Sequence, residues 1–177
     1  MPSRNAVHEQ VREHIAAIEL LASHEHLPME ADRPPEQDVL AEWLTHYFSC
    51  DLVSAGLTEA GLARLRDGRV PLRERWELAE PYWEAARTTG YGRSLDLAAR
   101  AIYGVDGVRA QTLAALNEAF VAARRQGGHY RRVLKELGRI RLSVVDSNLD
   151  CDRGFFASAH RLDSFIMPAH RLQIRDD

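Results

Sequence analysis

Two histidines one residue apart, His24 and His26 in LLASHEHLP (20–28), carry the first chemistry legible in this chain. Imidazole nitrogen binds zinc at about 2.0–2.1 Å, so two imidazoles aimed at one point begin a metal centre. In a β-strand, residues i and i+2 project to the same face with Cα atoms roughly 6.5–7 Å apart, a gap two imidazoles can close onto one ion. In a helix the same spacing puts the rings on different faces. Eight histidines in 177 residues make an HxH triplet a weak motif by itself. Its weight comes from its place: Leu20-Leu21-Ala22 reads as a strand closed by the pair, and a proline loop follows. In a parallel barrel the functional residues lie at that C-terminal strand end. Two ligands do not complete a site, since a catalytic zinc usually has three protein ligands and an open position. A divalent metal, zinc foremost, is the expected cofactor, although imidazole also suits iron, copper and nickel.

The elements that must position the pair follow from periodicity and punctuation. Val7, Val11, Ile15 and Ile18 mark one face of a helix over 5–18. Pro28, Pro34 and Pro35 make 28–36 a loop. A helix is expected over 36–48, with Val39, Leu40, Trp43, Leu44 and Tyr47 on its apolar side. A short segment then ends at SAG (54–56), and Thr58 is the expected N-cap of a helix over 59–66. Pro71 suits the first turn of a helix over 72–80, and Pro81 reads as a second start, stopped by Gly90 and Gly92. Further helices are expected over 94–104, over 107–126, and in HYRRVLKELG up to Gly138. IRLSVVDSN (140–148) is short and β-branched and reads as a strand; SFIMP (164–168) reads as another.

The totals narrow the partners. A net charge of −3 gives no electrostatic case for nucleic acid or an anionic membrane surface. No apolar run approaches the ~20 residues of a membrane span, and the N-terminus lacks a signal-peptide core. Cys50 and Cys151 form no CxxC or disulfide framework. A cytoplasmic protein with reduced thiols is expected, with no nucleic-acid or membrane partner.

With those residues in view, SHEHLPME resembles the opening strand of the amidohydrolase superfamily, whose first-strand HxH binds the catalytic metal. THYFSCDLVSAGL (45–57), PLRERWELAEPYWEAARTTGYGRSLDLAARAIYGVDGV (71–108) and HYRRVLKELGRIRLSVVDSNLD (129–150) resemble amidohydrolase-related bacterial proteins with a helical insertion between the first two strands. The layout is also similar to uronate isomerase, a superfamily member with a comparable insertion. The resemblance covers 7–170. It implies an α/β fold: the N-terminal part of a metal-dependent TIM-barrel hydrolase with a large helical insertion after the first strand, the chain itself mostly helical. It implies one partial barrel domain over 1–177. Residues 1–33 would form the first helix, first strand and metal loop, 34–138 the helical insertion, and 139–177 the second and third strand region.

The resemblance further implies that His24 and His26 are metal ligands and that hydrolysis of an amide or ester is the default reaction. Isomerisation and decarboxylation are also known in the superfamily. Its other metal residues (a bridging lysine or equivalent, further histidines, an aspartate near the last strand) have no assignable counterpart here. Cys50 stands where uronate isomerase has an arginine, which argues against a uronate carboxylate as ligand. An eight-stranded barrel typically needs about 250 residues. The expectation is therefore the N-terminal portion of a longer enzyme, inactive alone, with a complementing C-terminal portion or a homo-oligomer as partner; a small-molecule substrate is expected only of the intact enzyme.

Outside the pair, His46 and Tyr47 on the 36–48 helix and Asp146 at the second strand's end are the candidate substrate-binding groups, with Asp150 beside Asp146. Glu25 projects to the opposite strand face and reads as structural. Glu30 and Asp32 read as a solvated loop, Trp83 and Tyr91 as core, and Arg124-Arg125 and Arg131-Arg132 as solvated helix faces. His8, His14, His129, His160 and His170 have no ligand-like spacing. The competing reading is a non-catalytic helical interaction module or an inactive fragment.

Overall fold

The computed structural model describes residues 4–146 and 151–159. The chain divides into two compact units, one formed by Met1–Arg33 with Tyr130–Asp177 and the other by Pro34–His129. YRRVLKELG (130–138) thus belongs with the strands and not with the helical block.

The first unit holds α1 (Arg4–Ala17), β1 (Leu20–Glu25), a 3₁₀ turn (Glu30–Asp32), a π-helical segment (Arg131–Leu137), β2 (Ile140–Asp146) and β3 (Phe156–Ala159). The strands form one parallel sheet in the order β1-β2-β3. Val145 and Phe156 lie on one face, packed with Tyr130 and Leu134 of the helical segment. The Tyr130 hydroxyl donates to the Pro28 carbonyl at 2.7 Å and its backbone N–H donates to Glu30 at 3.1 Å, which fixes the loop that leaves β1. Arg139, at φ 51°, turns the chain into β2 and donates to the last carbonyls of α1, those of Ala16 and Ala17. Val7, Val11 and Ile15 lie on α1 and Ile18 just past its end; all four are exposed, 62 % at Ile15. β3 stands where no strand was expected, and the expected strand at 164–168 lies outside the described residues, as does Asp150.

The second unit is all helix: α2 (Val39–Trp43), α3 (Phe48–Ser54), α4 (Glu59–Arg66), α5 (Leu72–Ala86), α6 (Gly90–Tyr103) and α7 (Leu113–Gln126). Leu40, Leu44, Phe48, Leu52, Leu65, Trp76, Trp83, Leu116 and Phe120 fill its core. Three expectations are corrected. The 36–48 helix breaks after Trp43, because the Thr45 hydroxyl donates to the Ala41 carbonyl and competes with the backbone ladder. His46 and Tyr47 therefore sit in the turn before α3. Pro81 does not restart a helix. The buried series Trp76, Ala79, Trp83 and Ala86 runs through it, and Pro81 is on the exposed side, where water can satisfy the carbonyl it leaves without a donor. Gly90 and Gly92 begin α6 instead of ending a helix, with the Thr89 hydroxyl accepting from the Gly92 N–H. Thr58 caps α4 through the Gly61 N–H, and Gly104 closes α6 in the left-handed region. No helix among the described residues is long and apolar enough to cross a membrane.

Arg75 is 2 % exposed and joins three of these helices. Its guanidinium pairs with Asp38 at 2.5 Å and donates to the carbonyls of Val70 and Leu65; Asp38 also accepts the N–H groups of Leu40 and Ala41 at the start of α2. Removing one partner of a buried pair leaves an uncompensated charge, a cost of about 3–5 kcal/mol. Arg75→Ala is expected to destabilise the helical unit by that amount in urea titrations followed by tryptophan fluorescence, which reports this unit alone since Trp43, Trp76 and Trp83 all lie in it.

At the end of α4, the Arg69 side chain grips the Asp67 carboxylate with two bonds of 2.8 Å and adds its backbone N–H at 3.0 Å. These bonds, the side-chain ones foremost, hold the Asp67 carboxyl down to about 2 from an ordinary 3.8. Its contribution to stability is therefore present above pH 3.8 and fades as the pH falls toward 2. Carboxyl NMR titration should find Asp67 near 2 in the wild type and back toward 3.8 in Arg69→Ala.

Candidate metal centre

Parallel pairing puts the C-terminal ends of β1 and β2 at the same sheet edge. The register runs Ala22 to Ser143 and then Glu25 to Val145, three steps on β1 against two on β2, so a bulge falls at Ser23-His24. A bulge of this kind bends a strand and re-aims the side chain beside it. Glu25 stays in register with Val145 and shares its face, the one packed on Tyr130 and Leu134. Asp146, the neighbour of Val145 and the last residue of β2, projects to the opposite face.

On that opposite face three side chains meet. The His24 and His26 rings are 4.5 Å apart centre to centre and nearly perpendicular, at 87°. His24 Nδ1 lies 3.7 Å from Asp146 Oδ2. One ligand-type atom from each of His24, His26 and Asp146 falls within 4.8 Å of the other two. The imidazoles are exposed and the carboxylate is half-buried, 60 % against 24 % for the His24 and Asp146 side chains. The Glu25 carboxylate accepts the His26 backbone N–H at 2.8 Å, which steadies the turn out of β1 without entering the cluster. Two imidazoles and a carboxylate are a donor set for a borderline divalent cation such as zinc, and they leave coordination positions free for water or substrate. The residues present thus fit the metal that the resemblance implies.

His46 and Tyr47 belong to the helical unit, where their rings meet edge to face at 4.4 Å and Tyr47 stacks on Tyr91 at 5.8 Å. Tyr47 and Tyr91 are about half exposed, so Tyr91 is surface and not core, whereas Trp83 is core at 1 %. Glu30 is engaged by Tyr130, and Asp32 is exposed. Arg124 is not a solvated face. Its side chain is 4 % exposed, pairs with Glu42 at 2.7 Å, and lies over the Phe120 ring. Arg125 is exposed and pairs with Glu36. His8 and His14 are exposed on α1, His129 stacks on Tyr103 in the helical unit, and His160 and His170 lie outside the described residues. No family model, curated protein or solved structure matches this chain.

Proposed function

We propose that the chain is a metal-dependent hydrolase of the amidohydrolase type, with His24 and His26 as ligands of a divalent cation, zinc foremost. The observation that carries the reading is the convergence of the two imidazoles at the C-terminal end of a parallel strand. Three parallel strands in sequential order support a second part of it, that the sheet is the opening of a β/α barrel with the helical unit inserted after its first strand. A small molecule with a carboxylic amide or ester bond is the substrate class that fits.

The division of labour follows from the geometry. A bound divalent cation supplies Lewis acidity and brings the pKa of a coordinated water to about 7. His24 and His26 would hold it, each through one ring nitrogen. The bulge at Ser23-His24 and the Glu25 bond to the His26 N–H keep the rings turned to one point. The exposed side of the pair is where substrate can approach. A second reading, a helical module that binds another protein, is favoured by one observation, the exposed stripe of Val7, Val11, Ile15 and Ile18.

A panel of carboxylic esters and amides separates the two readings. Hydrolysis that a chelator abolishes and added zinc restores is expected when the chain is assayed with the remaining strands of the barrel supplied. Loss of one residue that merely supports a ligand costs 10–100-fold, so the His24→Ala, His26→Ala double variant should lose more than about 100-fold. No chelator-sensitive hydrolysis across the panel with those strands supplied would reject the hydrolase and leave the binding module.

A further inference from the structure

We propose that Asp146 is the third protein ligand of this centre, so that β1 and β2 alone supply a two-histidine, one-carboxylate face to the cation. The inference rests on the metal-centre reading above and departs from the pattern the resemblance implies, which takes its aspartate from near the last strand. It also changes what Asp146 does, from contacting substrate to holding the ion.

Three observations carry it. The first is register: Asp146 closes β2 on the face away from Val145, at the same sheet edge where β1 delivers the histidines. The second is distance. At 3.7 Å, His24 Nδ1 and Asp146 Oδ2 are too far apart for a donor and acceptor. They suit two neighbouring ligands of one ion, since bonds of about 2.0–2.2 Å set tetrahedral ligand atoms roughly 3.3–3.5 Å apart. Three atoms within 4.8 Å of one another share a centre about 2.8 Å or less from each, and small side-chain rotations shorten that to bonding distance. The third is placement. The carboxylate is half-buried and the imidazoles are exposed, so the three donors approach from the protein side and the open positions face outward. Catalytic zinc sites with two histidines and one carboxylate are built in this way.

The rival role for Asp146 is to orient His24 from outside the coordination sphere, and a thiolate substitution separates the two. Metal-free wild type, Asp146→Asn, Asp146→Cys and the His24→Ala, His26→Ala double variant are titrated with Zn²⁺ against a chromogenic chelator, and with Co²⁺ by absorption spectroscopy. Circular dichroism confirms that each is folded. Wild type is expected to bind one ion per chain. Asp146→Asn should bind more than about 100-fold more weakly, beyond the 10–100-fold of an orienting partner. Asp146→Cys should regain affinity and give a near-ultraviolet sulfur-to-cobalt charge-transfer band that is absent from wild type, although wild type already holds Cys50 and Cys151. Binding by Asp146→Asn within tenfold of wild type, or bound Co²⁺ in Asp146→Cys without the band, overturns the ligand role while leaving the histidine pair in place. Undiminished binding by the double-histidine variant sinks the metal-centre reading itself. Wild type that takes up no ion overturns the claim that two strands suffice, whatever the hydrolysis panel finds.

Discussion

The parallel sense of the β1–β2 pair is the constraint from which the whole His24, His26 and Asp146 cluster follows. Two strands running the same way end at the same sheet edge, so His24 and Asp146 meet although most of the chain lies between them. An antiparallel pair would send Asp146 to the far end of β1. Parallel strands cannot be joined by a hairpin, and the crossover here is the whole of Pro34–His129 with its flanking turns. Loop-closure entropy grows only logarithmically with length, so a connection of this size adds little cost provided that it folds on a core of its own.

It has such a core, and the polar group inside it explains its connectivity. Burying a guanidinium among leucines and tryptophans is costly unless each donor finds an acceptor. Arg75 finds them in the Leu65 and Val70 carbonyls and in Asp38, groups that belong to the end of α4, the turn after it and the start of α2. Because Asp38 also caps α2, one carboxylate closes a helix terminus and neutralises a buried cation. Arg124 repeats the pattern on a smaller scale, tying α7 to Glu42 of α2 and to the Pro34 carbonyl. Both arginines make contacts across long stretches of sequence, which gives the unit a definite arrangement that apolar packing alone would specify less tightly.

What could be read in the sequence depended on how local the cause was. Thr58, Gly104 and the HxH strand end act over a few residues, and their signals were visible there. The break at Thr45 was not, because apolar periodicity continues through Leu44 and Tyr47 while a hydroxyl bonded to Ala41 ends the helix. Pro81 carried a local stop signal that the buried series from Trp76 to Ala86 overrides. Gly92 looked like a terminator, but a Cβ there would come within 2.7 Å of the Ala86 carbonyl, so it is glycine to admit close packing at the start of α6. Arg124 looked solvated because its partner is far away in sequence. β3 is four residues long, too short for alternation to reveal it. Of the candidate site, the two histidines were legible as a pair. The convergence of Asp146 on them was not, since it depends on a register that no local pattern records.

That register also makes β1 the strand with most to gain from a cation. It lies at the sheet edge, Leu20 and Leu21 are more than half exposed, and its ladder to β2 is interrupted beside His24. A bulge weakens pairing where it occurs, yet this bulge turns His24 toward Asp146. A centre with two ligands on β1 and one on β2 would clamp the edge strand to the central strand at the point where main-chain hydrogen bonding lapses. Folding of the strand end and binding of the ion then become one linked equilibrium, because a ligand that binds only the folded arrangement stabilises it in proportion to its affinity. The local irregularity and the proposed metal centre would on this view be a single feature: the pairing lost at Ser23-His24 frees the imidazole to face Asp146, and a cation held there would restore the connection between the strands.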